Sequence, residues 1–230
     1  MSAQLQALRD QLARRFPGTL PLAHATAPVA ETAVAEVDAI LPGGGLPRGR
    51  ITVWEPGAGA RAVLRSALGA GVARGERCVW IDARGTAGDE VWRAGSILAR
   101  PEGPLQALEC AEELARSGAF SLVVLSGASS AEGSRVRLSR AAREGGCALV
   151  ELGSDGFMAG LRLSSRILPS GVRWLADAWG EWIDIEAVPV RVRASALGWN
   201  RETTLLLPLS GDLSRLSLEP ALADRRGAAR

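Results

Sequence analysis

The chain has 230 residues, 47% of them hydrophobic and 23% charged, with a formal net charge of +2. That balance suits a globular protein with one substantial core, and no uncharged run approaches the roughly 18–20 apolar residues of a membrane-spanning helix. All 27 basic residues are arginine, which excludes any chemistry that needs a lysine amine.

In chain order, the first element is a helix over residues 2–16, where Leu5, Leu8, Leu12 and Phe16 form one apolar stripe at spacings of three and four. Pro17 and Gly18 stop it, and the following "PGTLPLAHATAPVAETA" has the composition of a linker. Such an arm either folds back onto the body or docks on another molecule. Its charged sequence lacks the basic and apolar regions of a signal peptide, so the expected location is cytoplasmic.

From about residue 36, strands and helices alternate. "RITVWE" (50–55), "RCVWIDA" (77–83), "FSLVVLS" (120–126) and "CALVELG" (147–153) read as strands. Helices are expected over 60–75, 103–118 and 133–146. Near-continuous apolar strands between helices predict a mostly parallel sheet covered on both faces. After about residue 160 the runs "LRLSSRI", "EWIDIEAV", "VRVRASAL" and "TTLLLPL" follow one another without helices. Val190 and Val192 alternate there with Arg191 and Arg193, as in an antiparallel strand with one buried face. The expected organisation is an arm and linker over 1–35, a core over 36–208 and a polar tail over 209–230.

The turn after the first core strand, "VWEPGAGARAVL", approaches a phosphate-binding loop. A Walker A loop, GxxxxGK[ST], cradles phosphate on backbone amides, neutralises it with lysine and holds Mg²⁺ through a hydroxyl. In that register Glu55 replaces the first glycine, Ala60 the second, Arg61 the lysine and Ala62 the hydroxyl. The apolar strand that should end in a Mg²⁺-supporting aspartate ends at Ser126. These substitutions predict a protein that is not an enzyme, with no catalytic residues, no nucleotide cofactor and no metal.

"GGGLPRGRITVWEPGAGARAVL", "RGERCVWIDA" and "ALECAEELARSGAFSLVVLSGASS" together resemble the bacterial recombinase RecA, over about residues 36–206. The likeness is strongest at 44–51 and 114–126. It implies an α/β RecA-like fold: a mostly parallel sheet flanked by helices, an antiparallel C-terminal extension and an N-terminal helical arm. The departures are specific. Arg84 stands where the family's catalytic glutamate follows "IDA", and the two DNA-binding loops are reduced to "GASSAEGS" and about "GSDGFMAG".

A degenerate RecA-like core preceded by "LPGGGLPRG" is similar to the ImuA family, accessory proteins of SOS-induced mutagenic translesion DNA synthesis. This resemblance implies an adaptor that binds an ImuB-type Y-family polymerase homologue, with RecA and an error-prone replicative-type polymerase as further partners. It would be nucleoid-associated during DNA damage. Two alternatives stay open: a cell-division inhibitor like SulA, and a RecA paralogue that binds single-stranded DNA. In the recombinase family an N-terminal arm packs on a neighbouring subunit, so Leu5, Leu8, Leu12 and Phe16 are candidates for partner contact or self-association.

Several remaining groups suggest chemistry more weakly. Arg135, Arg137, Arg140 and Arg143 crowd one helix and Arg191 and Arg193 line a strand, candidate contacts for nucleic acid or else a solvated face partly offset by Glu132 and Glu144. Trp174, Trp179 and Trp182 lie among Asp177, Asp184 and Glu186, whose charge opposes a phosphate backbone. A core or protein-contact role is therefore expected of them. Cys78, Cys110 and Cys147 read as reduced core thiols, and His24 has no neighbour at metal-site spacing.

Overall fold

The computed structural model describes residues 28–88, 95–153, 159–176, 179, 181–196 and 198–208. The arm with Leu5, Leu8, Leu12 and Phe16, and the tail beyond 208, lie outside the described residues. Residues 28–34, read from the sequence as linker, are attached to the body. There β1 (Val29–Ala30) pairs antiparallel with β2 (Leu46–Pro47), and the Thr32 amide and hydroxyl both donate to Asp38 in the short helix α1 (Ala35–Ile40), at 2.9 Å each.

A nine-stranded sheet forms the centre. Its parallel part contains β3 (Arg50–Trp54), β4 (Cys78–Asp82), β5 (Ile97–Ala99), β6 (Leu122–Ser126) and β7 (Ala148–Leu152), in the spatial order β3-β7-β6-β4-β5. On the far side of β3 the sheet continues through β8 (Leu161–Ile167), β10 (Trp182–Ala196) and β11 (Trp199–Pro208). β8 is parallel to β3, whereas β10 and β11 run antiparallel to their neighbours. This is the mostly parallel α/β sheet with an antiparallel extension expected from the sequence.

Strand residues alternate between two cores. Leu122, Val124, Ala148 and Val150 face the helix α2 (Ala60–Ala73) through Val63, Leu64, Ala67 and Leu68. Val123, Leu125, Leu149, Ile51 and Val53 face α3 (Pro104–Arg116) and α4 (Glu132–Gly145). Each helix presents apolar positions at spacings of three and four, which places them on one stripe. Pro104 opens α3 at a position whose amide has no helical partner in any case. α4 ends on Gly146, in the left-handed conformation that favours glycine (φ +65°).

Three strand assignments need correction. The runs "EWIDIEAV" and "VRVRASAL" form one strand, β10, through Pro189. Pairing with β9 (Arg173–Ala176) ends at Ala187 and pairing with β8 begins at Val190, so the proline falls at the changeover between two neighbours. Neither β9 nor the short β5 was expected. The cysteines are free, with Cys78 and Cys147 buried and Cys110 half-buried. Burial pushes the Cys147 thiol up to about 11.

α3 and α4 approach tightly at Gly145, where an added Cβ would lie 1.9 Å from the Ala115 carbonyl oxygen. Gly133, on the same helix, faces open space. Gly145→Ala is therefore expected to cost about 1–3 kcal/mol. Gly133→Ala should instead gain up to about 1 kcal/mol from helix propensity. Urea unfolding of both variants, with unchanged slopes, checks this opposite pair of signs.

Candidate functional site

The carboxyl ends of β3, β4, β6 and β7 open onto one crevice. A cavity of about 420 Å³ lies there, lined by Gly57, Ala60 and Arg61 after β3, Arg84 and Thr86 after β4, Ser126–Ser129 after β6, and Leu152–Gly153 at β7. In open α/β sheets ligands collect at such a place, where successive connections leave the sheet in opposite directions. The structure thus brings together Ala60, Arg61 and Ser126, which the sequence singled out in separate motifs.

The loop after β3 is pressed against the sheet. The Glu55 amide donates to the Leu163 carbonyl at 2.8 Å, extending the β3–β8 pairing by one bond. The Trp54 indole donates to Ser165 Oγ at 3.2 Å. A Cβ on Gly57 would sit 2.3 Å from the Ser165 carbonyl oxygen, so only glycine fits. Gly59 then turns the chain at φ +84° into α2. Glu55 is exposed and points no acceptor into the cavity lining.

Arg61 does not hold the place of a free cation. Its Nη2 donates to Thr86 Oγ1 at 2.9 Å and its Nη1 to the Thr86 carbonyl at 3.1 Å, fastening the start of α2 to the loop after β4. That loop is itself folded around Asp82. Asp82 Oδ2 accepts the Ala87 amide at 2.6 Å, and Oδ1 lies 3.4 Å from both the Arg84 amide and Thr86 Oγ1. Ser126, the register partner of Asp82, accepts from the buried Trp80 indole at 2.8 Å and lies 3.2 Å from the Ile81 carbonyl.

A Mg²⁺-nucleotide fits this donor set poorly. Ala62 offers no hydroxyl, and Asp82, at the end of β4, is buried and turned onto its own loop. No carboxylate is among the described residues lining the cavity. Among the described residues there is also no group of three His, Cys, Asp or Glu side chains arranged to hold a metal ion.

One site residue escaped the sequence reading. Glu151, near the end of β7, is 1% exposed and accepts the Ser130 amide at 3.0 Å and the Ser130 hydroxyl at 2.6 Å. Arg135 reaches the same carboxylate at 3.3 Å and Ser130 Oγ at 3.1 Å. The group clamps the loop between β6 and α4, one residue from the cavity lining. This overturns the surface role expected of Arg135, which is 4% exposed and turned inward with Leu138 and Ala142.

Of the other members of that arginine group, Arg140 and Arg143 line one shallow depression with Val136 and Ser139, Arg140 also pairs with Glu144 at 2.7 Å, and Arg137 turns towards Glu112 on α3 at 3.6 Å. Of the core and protein-contact roles expected of the tryptophans, burial in the core does not hold. Trp174, Trp179 and Trp182 are 49%, 88% and 69% exposed, and the rings of Trp174 and Trp182 lie 6.4 Å apart with planes tilted by 56°.

No protein-family model matches the chain, and no curated protein matches it in sequence. Among solved structures, that of the RadB recombinase is similar with a TM-score of 0.55 at 14% identity, covering 79% of this chain and 96% of that one. The likeness establishes the RecA-like fold.

The buried clamp gives a sharp stability test. Replacing only one partner, as in Arg135→Met, strands the Glu151 carboxylate and should cost about 3–5 kcal/mol. The double change Arg135→Met with Glu151→Leu should recover most of that loss. Chemical denaturation of the two single variants and the double variant reads the coupling directly.

Proposed function

We propose that this chain is a non-catalytic adaptor with a RecA-like fold, acting in SOS-induced mutagenic translesion DNA synthesis. Its main partner in this reading is an ImuB-type Y-family polymerase homologue, with RecA as a further one. The carrying observation is the state of the phosphate crevice. Arg61 is committed to Thr86, Ala62 brings no metal ligand, and Asp82 is consumed by its own loop. A fold that keeps the crevice without its chemistry suits binding better than turnover.

Two further observations support the reading. The similar solved structure is that of a recombinase, which fits a place in DNA metabolism. The exposed Trp174–Trp182 pair supplies large apolar area near the edge of the sheet, and tryptophan dominates the energetics of many protein interfaces. Asp184 and Glu186 on the same strand disfavour a phosphate backbone there and leave a protein surface as the better occupant.

The test is capture, without nucleotide, of purified ImuB-type homologue, RecA and the tubulin-like division protein by the immobilised chain. Capture of the ImuB-type homologue is expected, weakened at least about tenfold by Trp174→Ala with Trp182→Ala. Retention of the division protein alone, or Mg²⁺-dependent ATP hydrolysis that disappears in Arg61→Ala, would reject the reading.

A further inference from the structure

β11 closes one side of the nine-stranded sheet, and among the described residues no strand pairs with its outer edge. Pro189 fixes the direction in which its main chain points. The Pro189 carbonyl accepts the Leu168 amide at 2.8 Å, so it is turned towards β8. A residue of an antiparallel strand sends its amide and carbonyl to one side, and the next residue sends them to the other. Leu206, the register partner of Pro189, is therefore not hydrogen-bonded to it, and its amide and carbonyl point away from β10. The same holds at every second residue, so Asn200, Glu202 and Thr204 point outward with Leu206. Each of them offers a donor and an acceptor, along about 20 Å of edge.

An edge of this length is a template for another strand. The side chains decide which strand fits. On the α2 side Leu205 is buried and Leu207 half-buried, in the cluster that also holds Val37 and Ile40 of α1, and Arg201 is exposed. A strand laid along the edge would put alternate side chains directly opposite these residues. Apolar residues suit the positions facing Leu205 and Leu207, and a carboxylate suits the position facing Arg201. On the other side Glu202 and Thr204 are exposed and match polar side chains.

A second copy of the chain is a poor occupant. Antiparallel pairing of β11 with itself, with outward residues meeting, centres on Glu202, Thr203 or Thr204. The first sets Glu202 opposite its own copy. The other two set the Arg201 guanidinium opposite Leu205 or Leu207. We infer that β11 is a strand-addition site for an extended segment of a protein partner, held through its main chain. Its alternate side chains are apolar against Leu207 and Leu205 and acidic against Arg201. The Trp174–Trp182 pair belongs to β9 and the far end of β10, so this site is independent of the partner reading above.

The test uses the full chain and the fluorescent peptide Val-Ser-Val-Ser-Thr-Ser-Glu, followed by anisotropy. Saturable binding is expected. Thr204→Pro removes only an outward amide, so it should weaken the peptide at least about tenfold while the melting temperature stays near wild type. Thr203→Pro should lower the melting temperature instead, because the Thr203 amide points to Val192. Methylating alternate peptide amides should abolish binding in one phase and spare it in the other. Replacing the peptide's Glu by Gln should weaken binding up to about fivefold, and in Arg201→Ala that difference should vanish. Wild-type affinity in Thr204→Pro, or equal effects of the two methylated peptides, would overturn the assignment. So would a dimer of the chain that Thr204→Pro dissociates, since it would give the edge to a second copy. Trp174→Ala with Trp182→Ala should leave peptide binding unchanged, so this site and the adaptor reading can fail separately.

Discussion

Strands β3, β4, β6 and β7 have helices on both faces, so their side chains must be apolar wherever they cannot reach a polar partner. Trp54, Trp80 and Leu149 are among the side chains that meet this demand, each at most 1% exposed. The buried carboxylates of these strands lie near the carboxyl ends, where loops can supply hydrogen bonds. Asp82, Ser126 and Glu151 occupy three such places on adjacent strands. All three are nearly inaccessible, and all three spend their hydrogen bonds within the protein. The strand ends that could face a ligand are instead used to fix the loops around them.

That use explains why the crevice keeps its shape. Arg61 ties α2 to the β4 loop, and Glu151 ties the β6 loop to α4 through Ser130 and Arg135. Gly57 lets the third loop lie directly on β8. The cavity between them is held open by these three ties and needs no bound phosphate to order it. A buried ion pair such as Arg135–Glu151 is a costly way to gain stability. Its effect here is to specify one conformation for the loop from 127 to 131.

Much of this fold was legible because burial imposes a simple pattern. Four apolar runs separated by helical stripes give the parallel sheet, and the Val/Arg alternation at 190–193 gives the one-sided extension. What escaped detection was short or locally contradictory. β5 has three residues, too few for a period to show. β10 was divided because Pro189 and the acidic Asp184 and Glu186 interrupt its β character, and only the changeover of neighbours makes the proline tolerable. The Arg135 error had a readable warning. Arg135 is in phase with Leu138 and Ala142 on the buried stripe, and Glu151 is a lone carboxylate in an apolar strand that must find a cation. The altered phosphate-loop positions Ala60, Arg61 and Ala62 were legible, but the contact of Arg61 to Thr86 is tertiary and leaves no sequence signature.

The extension follows a different rule from the parallel part, and the difference locates the exposed charge. Once β8 passes beyond the reach of α3 and α4, only its α2-side residues need be apolar. Leu161 and Leu163 stay buried, while Arg162 and Arg166 are exposed. The same holds for Val190 and Val192 against Arg191 and Arg193. Solvation alone would be served by any mixture of charges, and mixed charges would avoid cross-strand repulsion. Arg166 and Arg191 instead stand directly opposite each other, an arrangement the isolated sheet does not favour. The crevice keeps charge as well: Arg61 and Arg84 line it with no carboxylate among the described lining residues, and the hydrogen bonds of Arg61 go to the neutral Thr86.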